Sequence, residues 1–306
     1  MKPPLGLSTA LVLLWAFGYP LGALGVSAMS PMLLITLRFA GSGLAMLALA
    51  IVTGRRFPRG RMLGHVMVLG ILTQAAQFGC AYLALSLGTP AVIVALVIAL
   101  NPLATTLLAW PILGTRVTRT GLSAVLVGTA AVVVTCLPRI VAHPGSMSIA
   151  VGLVLLALLG VALGGIYQQK FCTGVDLVAS NATQLLVATV PVGIITLLTP
   201  QTITDPVRAA WVLPTMIVAS SMVATTLLLR LVNIAGAAVT SMLFTIIPSV
   251  AALMSWAMLG QRPDAGIVIG LVLGGVALLI SGRGSSRGSA KTAKTPLEFD
   301  ASVNNR

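Results

Sequence analysis

Residues 101–116 read NPLATTLLAWPILGTR and residues 247–262 read IPSVAALMSWAMLGQR. Each carries Pro, then seven residues, Trp, three residues, Gly, one residue and Arg. The displacement is constant, since 248 − 102, 256 − 110, 260 − 114 and 262 − 116 all equal 146. The same offset pairs Leu107 with Leu253, Gly128 with Gly274 and Arg38 with Gln184, so the repeat reaches well beyond one segment.

What surrounds the repeated phrase is apolar. The 306-residue chain is 58% hydrophobic and 8% charged, with a mean hydropathy of +1.07, more apolar surface than a soluble globule of this size can bury. Stretches of membrane-spanning length, about 20 residues, are expected at 5–27, 31–53, 63–86, 90–113 and 117–137, then at 148–169, 177–199, 208–230, 235–259 and 264–281. They are too long and too uniformly apolar for barrel strands. The expected fold is an all-α integral membrane protein with ten transmembrane helices. With both termini cytoplasmic, the outer side keeps only Arg139, Arg208 and Arg262 of the 18 Lys and Arg residues, and Arg38 lies inside a span. That asymmetry sets the orientation. It also accounts for the formal charge of +13 without a nucleic-acid partner, which would need a basic face on a soluble fold.

Five spans per repeat is an odd number, so the second unit enters the membrane upside down relative to the first. The expected organisation is a first five-helix repeat at 1–140, a second, inverted repeat at 141–281 and a disordered cytoplasmic tail at 282–306. Pro102 and Pro248 are expected to kink the fourth helix of each unit near mid-membrane and to serve gating. Trp110 and Trp256 read as interfacial anchors. Gly41, Gly43, Gly274 and Gly275 read as close helix contacts. Cys80, Cys136 and Cys172 read as small membrane-core residues without metal-ligand spacing.

The chain resembles the EamA branch of the drug/metabolite transporter superfamily. The stretches that carry the resemblance are LLWAFGYPLG (13–22), LLITLRFAGSG (33–43), YLALSLGTPAVIVALVIALNPLATTLLAWPILG (82–114), NATQLLVATV (181–190) and LRLVNIAGAAVTSMLFTIIPSVAALMSWAMLG (229–260). The likeness covers nearly all of residues 5–281. It departs at Thr115 and Gln261, where the family usually has Glu after Leu-Gly. The resemblance implies a ten-helix secondary transporter of the cell membrane for small metabolites such as amino acids or toxic compounds, often an exporter. A flippase or carrier for lipid-linked sugars or nucleotide sugars is the alternative within the same superfamily.

The polar and aromatic residues expected at mid-depth, as walls of a substrate cavity, are Trp15, Tyr19, Arg38, Gln74, Gln77, Tyr82, Asn101, Tyr167, Gln168, Gln184, Ser220, Ser221, Thr240, Phe244 and Thr245. Gln74 and Gln77 share a helix face. Each such residue can instead serve as packing glue between helices. Arg38 is open to two readings: a counter-ion for a substrate carboxylate or phosphate, or a structural clamp on carbonyls and amides. The five acidic residues, Asp176, Asp205, Asp264, Glu298 and Asp300, all fall in loops, span ends or the tail. No intramembrane carboxylate is therefore at hand for a proton relay, and facilitated diffusion or exchange is expected. There is no nucleophile with a base, no metal cluster and no phosphate loop. The expected partners are a small-molecule substrate and the lipid bilayer, with no enzyme activity, cofactor or metal, and with the oligomeric state left open.

Overall fold

The computed structural model describes residues 4–114 and 144–260, with isolated positions between 122 and 141 and between 265 and 276. Among the described residues eight helices are long and apolar enough to cross a membrane. We number them α1 (Leu5–Ala28), α2 (Pro31–Val52), α3 (Arg61–Ser86), α4 (Ala91–Ile98 followed by Asn101–Leu113), α5 (Pro144–Phe171), α6 (Leu177–Leu198), α7 (Pro206–Ala235) and α8 (Ala237–Leu259). The expected spans 117–137 and 264–281, Thr115, Gln261 and the tail lie wholly or largely outside the described residues.

The chemical signals for where these helices begin and end are local. Pro31 and Pro206 sit in the first turn, where a missing N–H costs nothing. Asp176 caps α6 by accepting from the amides of Val178 and Ala179, both at 3.0 Å. Asp205 caps α7 through Arg208 N at 2.9 Å. Both carboxylates thus serve helix termini, whose amides carry partial positive charge. Replacing Asp176 with Ala should lower stability by about 1 kcal/mol, read as a lower melting temperature in detergent. An unchanged melting temperature would show that the cap contributes nothing.

The phrase that opens the sequence spells one helix with its own start and stop. Asn101–Leu113 and Ile247–Leu259 are both 13 residues long, with Pro102 and Pro248 in the first turn. Each ends at a left-handed glycine, Gly114 at φ 72° and Gly260 at φ 65°. The amide of each glycine bonds the tryptophan carbonyl four residues back, Trp110 or Trp256, at 3.0 Å. A β-carbon is strained in that conformation, so glycine is the residue that fits. The prolines do not kink a continuous helix. The chain breaks about one turn before them, at residues 99–100 and 242–246, and each proline starts a fresh helical piece.

The 146-residue displacement holds for structure as well as sequence. For α2 and α6 both ends agree, since 177 − 31 and 198 − 52 each give 146. A π-wound segment interrupts α3 at Ile71–Ala76, and another interrupts α7 at Met216–Ala224, over the equivalent residues. Such segments turn the faces of the helix on either side and recur at functional sites.

The equivalent helices α2 and α6 pack along each other, joined by a Thr36–Thr196 hydroxyl hydrogen bond of 2.8 Å. Small residues allow this approach. A β-carbon on Gly43 would stand 2.8 Å from Leu186, and one on Gly70 would stand 2.7 Å from the Gln184 backbone. Gly41 is close in the same way to Ile217, whereas a β-carbon on Gly275 would meet none of the described residues within 4 Å. The outward faces carry Leu13, Leu44, Leu156, Ile194, Leu253 and other exposed apolar side chains, as a lipid-facing surface requires. Trp110 and Trp256 are exposed too. At one end of the bundle the turn between α1 and α2 is fastened to the α6–α7 loop by Ser30 N to Thr202 O (2.9 Å) and Thr204 N to Ala28 O (2.8 Å).

Candidate functional site: two cavities related by the repeat

Two small cavities are lined by the described helices, with volumes of about 40 and 20 Å³. The first is lined by Leu14, Trp15, Gly18 and Tyr19 of α1, Arg38 of α2, Gln77, Phe78, Ala81, Tyr82 and Leu85 of α3, Val94 and Ile98 of α4, and Ser220 and Ala224 of α7. The second is richer in amides and hydroxyls, with Thr73, Gln74, Asn101, Thr105, Gln168, Gln184, Thr225, Thr240 and Ser241 beside Phe244, Gly165, Ala237 and aliphatic residues. Trp15 and Gln77 belong to both. The two cavities meet at this pair.

Half of the first cavity's lining residues also have their repeat equivalents in the second. Adding 146 to residues of the first cavity takes Arg38 to Gln184, Tyr19 to Gly165, Tyr82 to Leu228, Val94 to Thr240 and Ile98 to Phe244, and subtracting it takes Ser220 to Gln74. Every one of these images lines the second cavity. The two sites have the same frame and different chemistry.

The charged side chain of the first cavity is Arg38, with 0% of its surface exposed. Its Nε donates to Ser221 Oγ at 2.7 Å and its Nη1 to the Tyr82 hydroxyl at 3.0 Å. The guanidinium lies over the Phe78 ring, 4.3 Å from the centroid, a contact worth about 2 kcal/mol when desolvated. Its Nη2 has no hydrogen-bond partner among the described residues. The clamp expected of this residue is therefore made through hydroxyls and a ring face, not through carbonyls or amides, and it is incomplete. Gln184, in the equivalent place, has a side-chain partner at each end of its amide: Oε1 lies 3.1 Å from Thr73 Oγ1, whose one proton is shared with Leu69 O at 2.8 Å, and Nε2 donates to Ser180 Oγ at 3.1 Å.

In the second cavity Gln168 donates to Leu229 O at 2.9 Å and Asn233 Oδ1 at 3.1 Å, and Asn101 accepts from Thr105 at 3.0 Å. These are packing bonds between and within helices. Left over among the described residues are Gln74 Oε1, Gln77 Oε1 and Thr240 Oγ1 facing the second cavity, with Ser220 Oγ and Gln77 Oε1 facing the first. A buried polar atom without a partner costs free energy that a ligand or a water can recover.

Of the residues singled out from the sequence, Trp15, Tyr19, Arg38, Gln77, Tyr82 and Ser220 line the first cavity. Trp15, Gln74, Gln77, Asn101, Gln168, Gln184, Thr240 and Phe244 line the second. Ser221 stands behind the wall and holds Arg38. Tyr167 is elsewhere: its hydroxyl bonds His65 Nδ1 at 2.8 Å, and His65 stacks on Phe171 with ring centroids 5.0 Å apart. Thr245, Pro102 and Pro248 line neither cavity. Sequence reasoning missed Phe78, which braces Arg38, and Thr73, which holds Gln184. It also missed Val94, Ile98 and Gly165, which the 146-residue offset yields when applied to Thr240, Phe244 and Tyr19. Among the described residues no group of three or more His, Cys, Asp or Glu comes together as a metal site would need.

A polytopic helical bundle with paired cavities at the centre of a duplicated frame is the architecture of a membrane transport protein. The EamA-like transporter family matches the chain twice, over residues 4–137 and 148–283, and the chain belongs to that family. It is thus a multi-pass membrane transporter of the drug/metabolite transporter superfamily. No curated protein matches it. One solved structure, described only as a crystal structure of a protein, is similar in fold with a TM-score of 0.67, covering 92% of this chain and 97% of the other at 17% identity.

Proposed function

We propose that the protein is a secondary transporter that exports small metabolites across the cell membrane by alternating access between two inverted five-helix repeats. The observation that carries this reading is the pair of cavities in one frame, meeting at Trp15 and Gln77. Two inverted copies give two access states of similar energy, one opening each half-site in turn. The Lys and Arg asymmetry supports cytoplasmic termini. Lipid-linked sugars and nucleotide sugars fit less well, because a bulky polyanionic cargo calls for more cations than Arg38.

Counterflow in proteoliposomes tests the reading. Purified protein loaded with excess unlabelled solute should transiently accumulate the labelled form of at least one solute from a panel of amino acids, amines and organic anions. Silence across the whole panel would reject the reading for small metabolites. The two acidic residues among the described positions are occupied as helix caps. Reversing an imposed pH gradient should therefore leave initial rates unchanged. Strong uphill accumulation driven by that gradient would show proton coupling and overturn this expectation.

A further inference from the structure

The first cavity joins a buried cation to an apolar chamber. Arg38 is fully buried, and among the described residues its Nη2 has no partner for its two N–H donors while its other nitrogens meet neutral hydroxyls. Neither acid among the described residues, Asp176 or Asp205, lines the cavity. Hydroxyl oxygens solvate a charge without cancelling it, and a buried charge is tolerated best when paired. Phe78 covers one face of the guanidinium, and of its in-plane donors those on Nη2 remain without a partner among the described residues. An N–H donor of a guanidinium makes a strong, charge-assisted hydrogen bond to a carboxylate.

The repeat provides an internal comparison. Gln184 occupies the same place in the same frame, and each end of its amide has a side-chain partner, Thr73 or Ser180. A side chain whose task is packing ends up satisfied in this way. Arg38 does not, so its surplus donors point to a ligand. Among the described residues no other charged side chain lines the chamber, and its remaining walls include Trp15, Tyr19, Phe78, Leu85, Val94 and Ile98.

Resting on the transporter reading, we infer that the substrate class of the first cavity is a small organic monoanion with an apolar or aromatic body, its carboxylate paired with Arg38 Nη2. Ser220 Oγ, also without a partner among the described residues, is a second donor for the same group. Trp15 and Phe78 flank the body. A dianion would carry one charge more than the cavity can neutralise, and a cation would meet Arg38 with like charge.

Three ligands with one body and different charge test this: 3-phenylpropionate, 3-phenylpropanamide and 3-phenylpropylamine, each titrated against the purified full chain while its melting temperature is followed. The carboxylate should raise the melting temperature and the other two should not. Arg38→Gln should weaken the carboxylate's effect by about ten- to a hundredfold in apparent affinity, the range for losing a hydrogen bond to a charged group. Arg38→Lys keeps the charge and should retain part of it, which guards against a Gln variant that fails to fold. Equal or stronger stabilisation by the amide or the amine overturns the assignment, as does carboxylate binding indifferent to Arg38→Gln or silence from all three ligands. Counterflow separates the two readings. Transport of amines or neutral solutes without anions rejects the anion assignment and leaves the transporter standing, whereas absence of any counterflow rejects both.

Discussion

Gly70→Leu should abolish the folded protein, leaving little or no monodisperse material after solubilisation. The reason is geometric. A β-carbon at Gly70 would lie 2.7 Å from both the Cα and the carbonyl oxygen of Gln184, which are backbone atoms of α6 and cannot rotate away. The α3–α6 contact would have to open along its length, and α6 also packs along α2. Even Gly70→Ala should cost about 1–3 kcal/mol, the usual range for overpacking. Gly160 is a second site of the same kind, with its β-carbon position 2.7 Å from Leu72 O. Gly152→Ala is the control, since it is exposed with nothing within 4 Å, and alanine favours a helix over glycine. Wild-type yield and melting temperature for Gly70→Leu would show that α3 and α6 do not meet as described.

Trp15→Ala should turn the carrier into a leak. The indole stands where the two cavities meet, edge-on to Phe244 at 5.1 Å between centroids and 6.0 Å from Phe78. Phe244 lines the second cavity and Phe78 the first, so this aromatic contact bridges the boundary. Truncation to a methyl group removes the partition, and a transporter without one loses the exclusive access on which counterflow depends. Counterflow should fall by about tenfold or more, equivalent to about 1.4 kcal/mol or more in the relevant barrier, while passive efflux rises. Trp15→Phe keeps a ring in place and should preserve most of the exchange. Melting temperatures for both variants separate a missing partition from a collapsed core, which large-to-small changes can also produce. Normal counterflow with no added leak in Trp15→Ala would exclude Trp15 as the divider.

The parts of this fold legible from the sequence were those governed by local composition. Hydropathy located the starts of α1, α2 and α6, and the offset of 146 foretold that α2 and α6 would have matching ends. Pro102 and Pro248 pointed to an interruption, but where the chain breaks depends on the turn before them, which carries no breaker residue of its own. The π-wound segments of α3 and α7 left no mark on the hydropathy profile, because mean hydropathy is blind to how tightly a helix is wound. Site residues were legible as polar side chains at mid-depth, and their partners were not. Tyr167 and Gln168 are neighbours in sequence, yet one turns to His65 and the other to Leu229 and Asn233. Such choices are made by helices more than 60 residues distant in the chain. Phe78 carried no signal at all until Arg38 was seen beneath it.

On the transport mechanism proposed above, a cation held in the first cavity is also a sensor of membrane voltage. Moving one elementary charge across the whole membrane field corresponds to about 2.3 kcal/mol per 100 mV. When access alternates, the field redistributes around Arg38 even if the residue itself stays still. With a monoanion bound the moving unit is neutral, and with the site empty it carries a full positive charge. Membrane potential would then leave the loaded step untouched and act on the return of the empty carrier, so that voltage would set the pace of net transport and have no grip on exchange.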